Sequence, residues 1–195
     1  MLNSHTGELD YFLVNKVHTF NGQTRTHFSG KCGQIHGSAD GFYPSFTTGR
    51  SQRSVRYMPE TLDLFSHQAC RSITYLRSDK PTEKHYGLST HEYQLDPMTF
   101  ANGSVYPNNE CYDNNLPTGV QNNSFCQGEH VPMYLSFPHF YHADAHYLRQ
   151  FSEDSELKPD GKEHATYLKM DPVLSALTYF KLALQINIQI QKFPE

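Results

Sequence analysis

The sequence predicts a mainly β protein, an antiparallel barrel or sandwich with a few short helices set into its loops. Three observations predict it. Apolar and polar residues alternate with period two in several separate segments. Patterns of helical period are few and short. Turn and breaker residues recur along the chain, at Gly30, Gly33, Gly37, Gly41, Pro44, Pro97, Pro107, Pro117 and Pro138.

Taken in order, Phe12 to Phe20 reads as a strand that ends at Asn21-Gly22, a dipeptide suited to a tight hairpin turn. Thr24 to Phe28 is then the expected return strand. Pro59 to Phe65 reads as a short helix, with Pro59 at its first position and acids near its N-terminus. Ser72 to Leu76 is β-branched and aromatic, hence a strand. The polar stretch from Asn102 to Ser124 is rich in Asn, Gly and Pro and reads as exposed loop. Val131, Met133, Leu135 and Phe137 alternate with Pro132, Tyr134 and Ser136, another strand. Asp144 to Phe151 suits a short helix with Tyr147, Leu148 and Phe151 on one face. Ala165 to Met170 is a further strand. In Leu184 to Gln191, Leu184, Ile186, Ile188 and Ile190 share one face and should be buried, with Gln185, Asn187, Gln189 and Gln191 outward.

Composition narrows the function. The chain of 195 residues is 37% hydrophobic, enough for a sizeable core in one domain, residues 1–195, or part of a larger one. A net charge of −4 offers no broad basic surface, which argues against nucleic-acid binding. No apolar run approaches the ~18–20 residues that cross a bilayer. No signal peptide is visible after Met1. Two features nevertheless point outside the cytosol. Cys32, Cys70, Cys111 and Cys126 are widely spaced and fit two disulfides, or else four unrelated buried thiols. Asn102-Gly103-Ser104 and Asn122-Asn123-Ser124 are glycosylation sequons. Together they favour an extracellular or lumenal segment, with the missing targeting signal making the chain a fragment.

No nucleophile elbow, phosphate loop, dinucleotide fingerprint or H-E-x-x-H occurs, so no catalytic residue and no cofactor is assigned. Glu153 and Asp154 are adjacent carboxylates in a polar stretch and read as solvated loop. His139, His142 and His146, with Asp144 between, form the best metal candidate; a secreted zinc enzyme built on them is the reading from another class. Twelve histidines would carry the net charge from −4 to +8 if all were protonated, a change that an endosomal or lysosomal protein could use.

Four ordered stretches resemble the class B scavenger receptor family, which includes fatty-acid translocase, the lysosomal integral membrane protein and the sensory neuron membrane proteins. The first runs from Cys32-Gly33-Gln34-Ile35-His36-Gly37 to Asp40-Gly41. The second is Cys70-Arg71-Ser72-Ile73. The third joins Gly119-Val120-Gln121-Asn122 through Cys126 to Ser136-Phe137-Pro138-His139-Phe140-Tyr141 and Ala143-Asp144. The fourth is Asp171-Pro172 followed by Gln185-Ile186-Asn187-Ile188, with His164, Thr166 and Tyr167 leading into it. Order and spacing agree from about Gly7 to Lys192.

The resemblance implies an irregular antiparallel β-barrel, incomplete in this fragment, from the ectodomain of a membrane receptor at the cell surface or in the lysosome. The membrane spans and the apical helical bundle of full members would be absent. It implies a tunnel that conducts lipid without catalysis, and lipids, fatty acids or lipoprotein particles as partners, with a protein ligand possible at the missing apex. A sorting or adhesion receptor of the same fold is the alternative. It also implies disulfides Cys32–Cys111 and Cys70–Cys126, spanning 79 and 56 residues. Many relatives carry a further small-loop disulfide where this chain has Tyr112-Asp113-Asn114-Asn115. Relatives also often have Trp where this chain has Phe20 before the Asn-Gly turn. No lipid-contacting residue is assigned; Ser136 to Tyr141, aromatic and bent by proline, is the first place to look.

Overall fold

A computed structural model describes residues 1–6, 13, 15–39, 59–80, 83–85, 87–112, 115–126, 131–152, 155–171 and 176–190. Phe12, Asp40, Gly41, Pro44, Asp113, Asn114, Glu153, Asp154, Pro172 and Gln191 lie outside them. The described residues are mostly β and fall into two compact units. The first comprises Met1–Thr26, Gly33–Asp96 and Thr166–Leu182; the second comprises His27–Cys32, Pro97–Ala165 and Ala183–Glu195.

The first unit is built on a seven-stranded sheet. Its strands are β3 (Ser38–Ala39), β4 (Thr61–Ser66), β5 (Arg71–Arg77), β6 (Glu83–His85), β7 (Leu88–Leu95), β10 (Tyr167–Asp171) and β11 (Ala176–Lys181). The order is β11-β10-β7-β5-β4-β3, with β6 paired to β7. All pairings are antiparallel except β3 with β4. Register sets the core. Leu62 faces Tyr75, which faces Leu95; Tyr93 faces Leu168, which faces Phe180. Directly opposite residues share a sheet face, so these form one apolar surface. Tyr75, Tyr93, Leu168 and Met170 are essentially inaccessible, and full burial of such a side chain stabilises by about 1.5–3 kcal/mol. The one polar atom that Tyr93 brings inside is satisfied, because its hydroxyl donates to the Pro59 carbonyl at 2.6 Å.

Residues Pro59 to Phe65 therefore correct the helix expectation. Thr61–Ser66 is a strand, with Leu62 and Leu64 buried and Thr61 and Asp63 exposed. Period two within the segment, and a long partner in β5, outweigh the weak start signal of Pro59. The Asn21-Gly22 turn forms as expected, with φ of 52° and 75° and reciprocal Phe20–Gln23 backbone hydrogen bonds. However, the return strand Thr24 to Phe28 does not form; only isolated bridges follow the turn. Strand β2 (Val17–Phe20) pairs instead with the N-terminal β1 (Leu2–Ser4).

Two family-like stretches meet in this unit. The Ser72 hydroxyl donates to the His36 carbonyl at 2.7 Å and accepts from the His36 amide at 3.3 Å. Gly37 follows at φ +83°, where an added Cβ would lie 2.5 Å from the Asp63 carbonyl oxygen. Only glycine fits both that conformation and that approach.

The second unit contains a three-stranded antiparallel sheet, β12 (Gln185–Ile188), β9 (Met133–Ser136) and β8 (Val120–Asn122), in that order. The stretch from Asn102 to Ser124 is not a uniformly exposed loop. It contributes β8 and buries Asn109, Asn123 and Ser124. Asn109 ties the segment down, its amide donating to the carbonyls of Met98 and Ala101 at 2.8 and 2.7 Å. Cys32 and Cys111 are joined in a disulfide, Cα atoms 5.7 Å apart. The helix expected at Asp144 to Phe151 is α1 (Ala145–Leu148), capped by the Asp144 carboxylate, which accepts from the His146 amide at 2.7 Å.

Strand β12 forms where alternation placed it, but with its faces reversed. Ile186, Ile188 and Ile190 are 62%, 67% and 92% exposed. Gln185 and Asn187 are the half-buried set. The reason is a side-chain ladder. Gln185 donates to Asn187 at 2.6 Å, Asn187 donates to Ser136 Oγ at 3.0 Å, and the Gln185 carbonyl accepts from the His139 amide at 2.7 Å. The amides are satisfied inside, so turning them inward leaves no orphaned polar group.

Candidate functional site

The second unit holds a groove of about 370 Å3. Its floor is one face of the three-stranded sheet, where Tyr134 lies directly opposite Asn187, and Val120, opposite Ser136, shares the same face. Its walls are apolar: Leu116 and Pro117 on one segment, and Phe140, Tyr147 and Phe151 around α1. Phe140 stacks on Tyr147 with ring centroids 5.2 Å apart and planes 4° apart, and Phe151 lies 6.0 Å from Phe140. His146, Gln150, Ile188 and Gln189 complete the rim.

Local geometry explains how these rings arrive. Pro138 follows the buried Phe137, and the chain then turns through His139 and Phe140 with φ of 52° and 54°. Non-glycine residues enter this region only at some cost. That turn directs Phe137 towards Phe100, edge to face at 5.2 Å, and brings Phe140 onto Tyr147. Opposite it, Gly119 lies so close to Ala143 that a Cβ would fall 2.2 Å from the Ala143 Cα. The Asp144 amide donates to the Thr118 carbonyl at 2.9 Å and the Tyr147 hydroxyl to the Pro117 carbonyl at 2.8 Å. These bonds hold the Leu116–Gly119 wall against α1. Burial, with the Asp144 charge nearby, pushes the Tyr147 pKa up to about 12, so the phenol stays neutral and remains a donor. The polar groups of the floor are neutral as well: the Tyr134 hydroxyl donates to Gln189 at 2.8 Å, and Asn187 bonds within the sheet. No Lys, Arg, Asp or Glu lines the groove among the described residues.

The three candidate zinc ligands are not gathered. His139 Nδ1 meets the Lys158 carbonyl at 3.1 Å, with its ring 4.2 Å from that of His164. His142 packs on Tyr141 and Phe137, a partial desolvation that lowers its pKa. His146 meets Gln150 at 2.9 Å, and Asp144 is occupied as a helix cap. Among the described residues no three His, Cys, Asp or Glu side chains converge on a point that could hold a metal ion. The zinc reading is thus corrected: the turn at Pro138–His142 points the imidazoles to separate partners.

Of the segment singled out in the sequence, Ser136 and Phe137 are sealed in the interior, and Phe140 reaches the groove. Tyr147 and Phe151, expected on one helix face, line it together. Leu116, Pro117 and Gln189 were not legible as site residues. Leu116 and Pro117 sit in a stretch read as exposed loop, and Gln189 on a strand face expected to face outward.

Asn102 and Asn122, the sequon asparagines, are half-buried. Asn102 donates to the Leu116 carbonyl at 3.1 Å, and its own carbonyl accepts from the Ser104 hydroxyl at 2.7 Å. The Asn122 carbonyl accepts from the Ser124 amide at 3.0 Å. No helix among the described residues is long and apolar enough to cross a membrane.

Comparison with known proteins agrees with the ordered motifs. Scavenger receptor class B member 1 of Cricetulus griseus is 32% identical over 189 residues, covering 95% of this chain and 34% of that protein. Protein peste of Drosophila melanogaster is 31% identical over 175 residues, covering 88% of this chain and 29% of its own length. Sensory neuron membrane protein 2 of Manduca sexta is 31% identical over 172 residues, covering 84% and 31%. The chain thus spans about a third of the length of these relatives. The CD36 family model matches residues 1–195, and the chain belongs to the CD36 family.

Proposed function

We propose that this chain is part of the extracellular or lumenal domain of a class B scavenger-type membrane receptor that holds apolar cargo without transforming it. The observation that carries the reading is the family match along the whole chain, together with an amphipathic groove whose walls are apolar and aromatic and which no Lys, Arg, Asp or Glu lines among the described residues. Lipids, fatty acids or lipoprotein particles are its partners, and the groove borders the path that they follow. The membrane is that of the cell surface or the lysosome. The two compact units belong to one ectodomain.

Cys70 and Cys126 form a second disulfide beside Cys32–Cys111 in this reading; both are buried, and neither is a free thiol. Glycans are carried at Asn102 and Asn122. Both modifications require the oxidising, glycosylating route that such a receptor takes.

The test is titration of the full chain with a fluorescent sterol and a fluorescent fatty acid. Phe151→Glu places a charge on the groove wall at a half-exposed position, so folding should survive. Affinity for at least one probe should drop about tenfold or more, the cost of bringing an unpaired charge against apolar ligand. Ile186→Thr, on the other face of the sheet, should bind as the parent does. Equal binding by all three proteins would defeat the groove assignment.

A further inference from the structure

His139 and His164 lie ring against ring, centroids 4.2 Å apart. Their remaining contacts differ in a way that matters. His139 Nδ1 lies 3.1 Å from the Lys158 carbonyl, so it must carry a hydrogen to bond there. His164 Nδ1 instead accepts from the Asp160 amide at 2.8 Å, so it must be bare. The His164 amide returns a bond to the Asp160 carbonyl at 2.9 Å. One end of the 158–164 segment is therefore stapled through a lone pair that exists only in neutral imidazole. Gly161 of this segment lies against Tyr141; a Cβ there would be 2.8 Å from the tyrosine hydroxyl. The segment thus covers the turn whose Phe140 walls the groove.

We propose that the Asp160–His164 bond, with His139 packed on it, is an acid-released staple that closes residues 160–164 beside the Pro138–Tyr141 turn at neutral pH and opens them in acid. Protonation of His164 removes the acceptor of the Asp160 amide. Protonation of both rings adds repulsion between two like charges in contact. The charged groups on the pair's own segment are Lys158, Asp160, Lys162 and Glu163, two of each sign, and of these the Asp160 carboxylate acts on His164. The Asp160 carboxylate is already engaged by the amides of Lys162 and Glu163 at 2.7 and 2.9 Å. The turn presents Tyr141 and His142, and β12 presents neutral Gln185 to the His139 amide. The Asp160 carboxylate attracts a charged His164, so the lost amide acceptor and the His139 contact act against that attraction. Proton uptake by His164 and closure of residues 160–164 therefore oppose each other.

The experiment is amide hydrogen exchange on the full chain, read as protection factors so that the intrinsic pH dependence cancels. Protection of the Asp160 amide should fall about tenfold between about pH 7.5 and about pH 5, the worth of one lost hydrogen bond and a like-charge contact. His164→Asn keeps an acceptor near the Nδ1 position that cannot take up a proton, and its protection should be the same at both pH values. Unchanged protection in the parent, or an equal loss in His164→Asn, overturns the proposal. Imidazole nitrogen resonances of the parent give a second reading that needs no variant. At neutral pH His164 must show a bare Nδ1, and a hydrogen on that nitrogen sinks the idea. Neither measurement involves a lipid, so the staple stands or falls apart from the proposed cargo.

Discussion

The two units of this protein solve the same problem by different means. In the first, strands are long and their apolar faces meet across a seven-stranded sheet, so Leu168 and Met170 of β10 are fully enclosed. In the second, the sheet has three short strands, and β12 turns its isoleucines outward. What holds the second unit is a set of local ties: the Cys32–Cys111 bridge, the Asn109 amide, the Asp144 cap and the Gln185–Asn187–Ser136 ladder. A small apolar core needs such ties, because burial alone would not offset the entropy of ordering long irregular segments.

The comparison is tested most severely at the disulfide. Cys111→Ser opens a loop of 79 residues, and the chain-entropy model gives a loss of about 4 kcal/mol. A denaturant melt that follows Tyr134 or Tyr147 should show the second unit unfolding first. A change of under about 1 kcal/mol would mean that the covalent tie is redundant there. Leu168→Ala is the matching assault on the first unit. It should cost ~2–5 kcal/mol, since the site is enclosed and lined on both sides by neighbouring strands.

A smaller effect sharpens the picture of the first unit's outer face. Glu92 accepts from Lys80 at 2.6 Å and from Gln94 at 2.8 Å. Partial burial would raise its pKa, but these bonds and the charges of Lys80 and Lys169 outweigh it and hold it below the ordinary value of 4.5. A lowered folded pKa contributes stability that is complete above the unfolded value and is lost as pH falls through the folded one. The urea midpoint should therefore drop in acid, and drop less in Lys80→Gln than in the parent. Identical acid profiles would remove this pair from the account. Last comes Ile188→Thr, which should change stability by no more than about 0.5 kcal/mol because the side chain is two-thirds exposed. If it cost as much as Leu168→Ala, the contrast between the units would be broken.

These contrasts explain what was legible. Alternation located β9 and β12, and β-branched and aromatic composition located β5, because both are local properties of the chain; β10 also lies where a strand was expected. The same period is present in β4, but Pro59 and two acids there imitate the start of a helix and concealed it. The Asn21-Gly22 turn was readable from its dipeptide, yet its strand partner was not, since β2 takes β1 from the N-terminus. The groove was half legible. Phe140, Tyr147 and Phe151 lie where aromatic spacing drew attention, whereas Leu116 and Pro117 join them through a fold-back held by long-range bonds to the Thr118 and Pro117 carbonyls.

By itself, then, the sequence determined the β character, most of the strands, the family and the absence of a familiar catalytic motif, all of which reside in short patterns and their order. Tertiary structure alone decided which face of each strand is covered and which side chains share a cavity. Leu168 and Ile188 sit in similar alternations, but one has Tyr93 and Phe180 on either side, and the other has Met133 on one side and is two-thirds exposed. Periodicity fixes the two faces of a strand; enclosure belongs to the neighbours that register and long-range pairing bring over one of them.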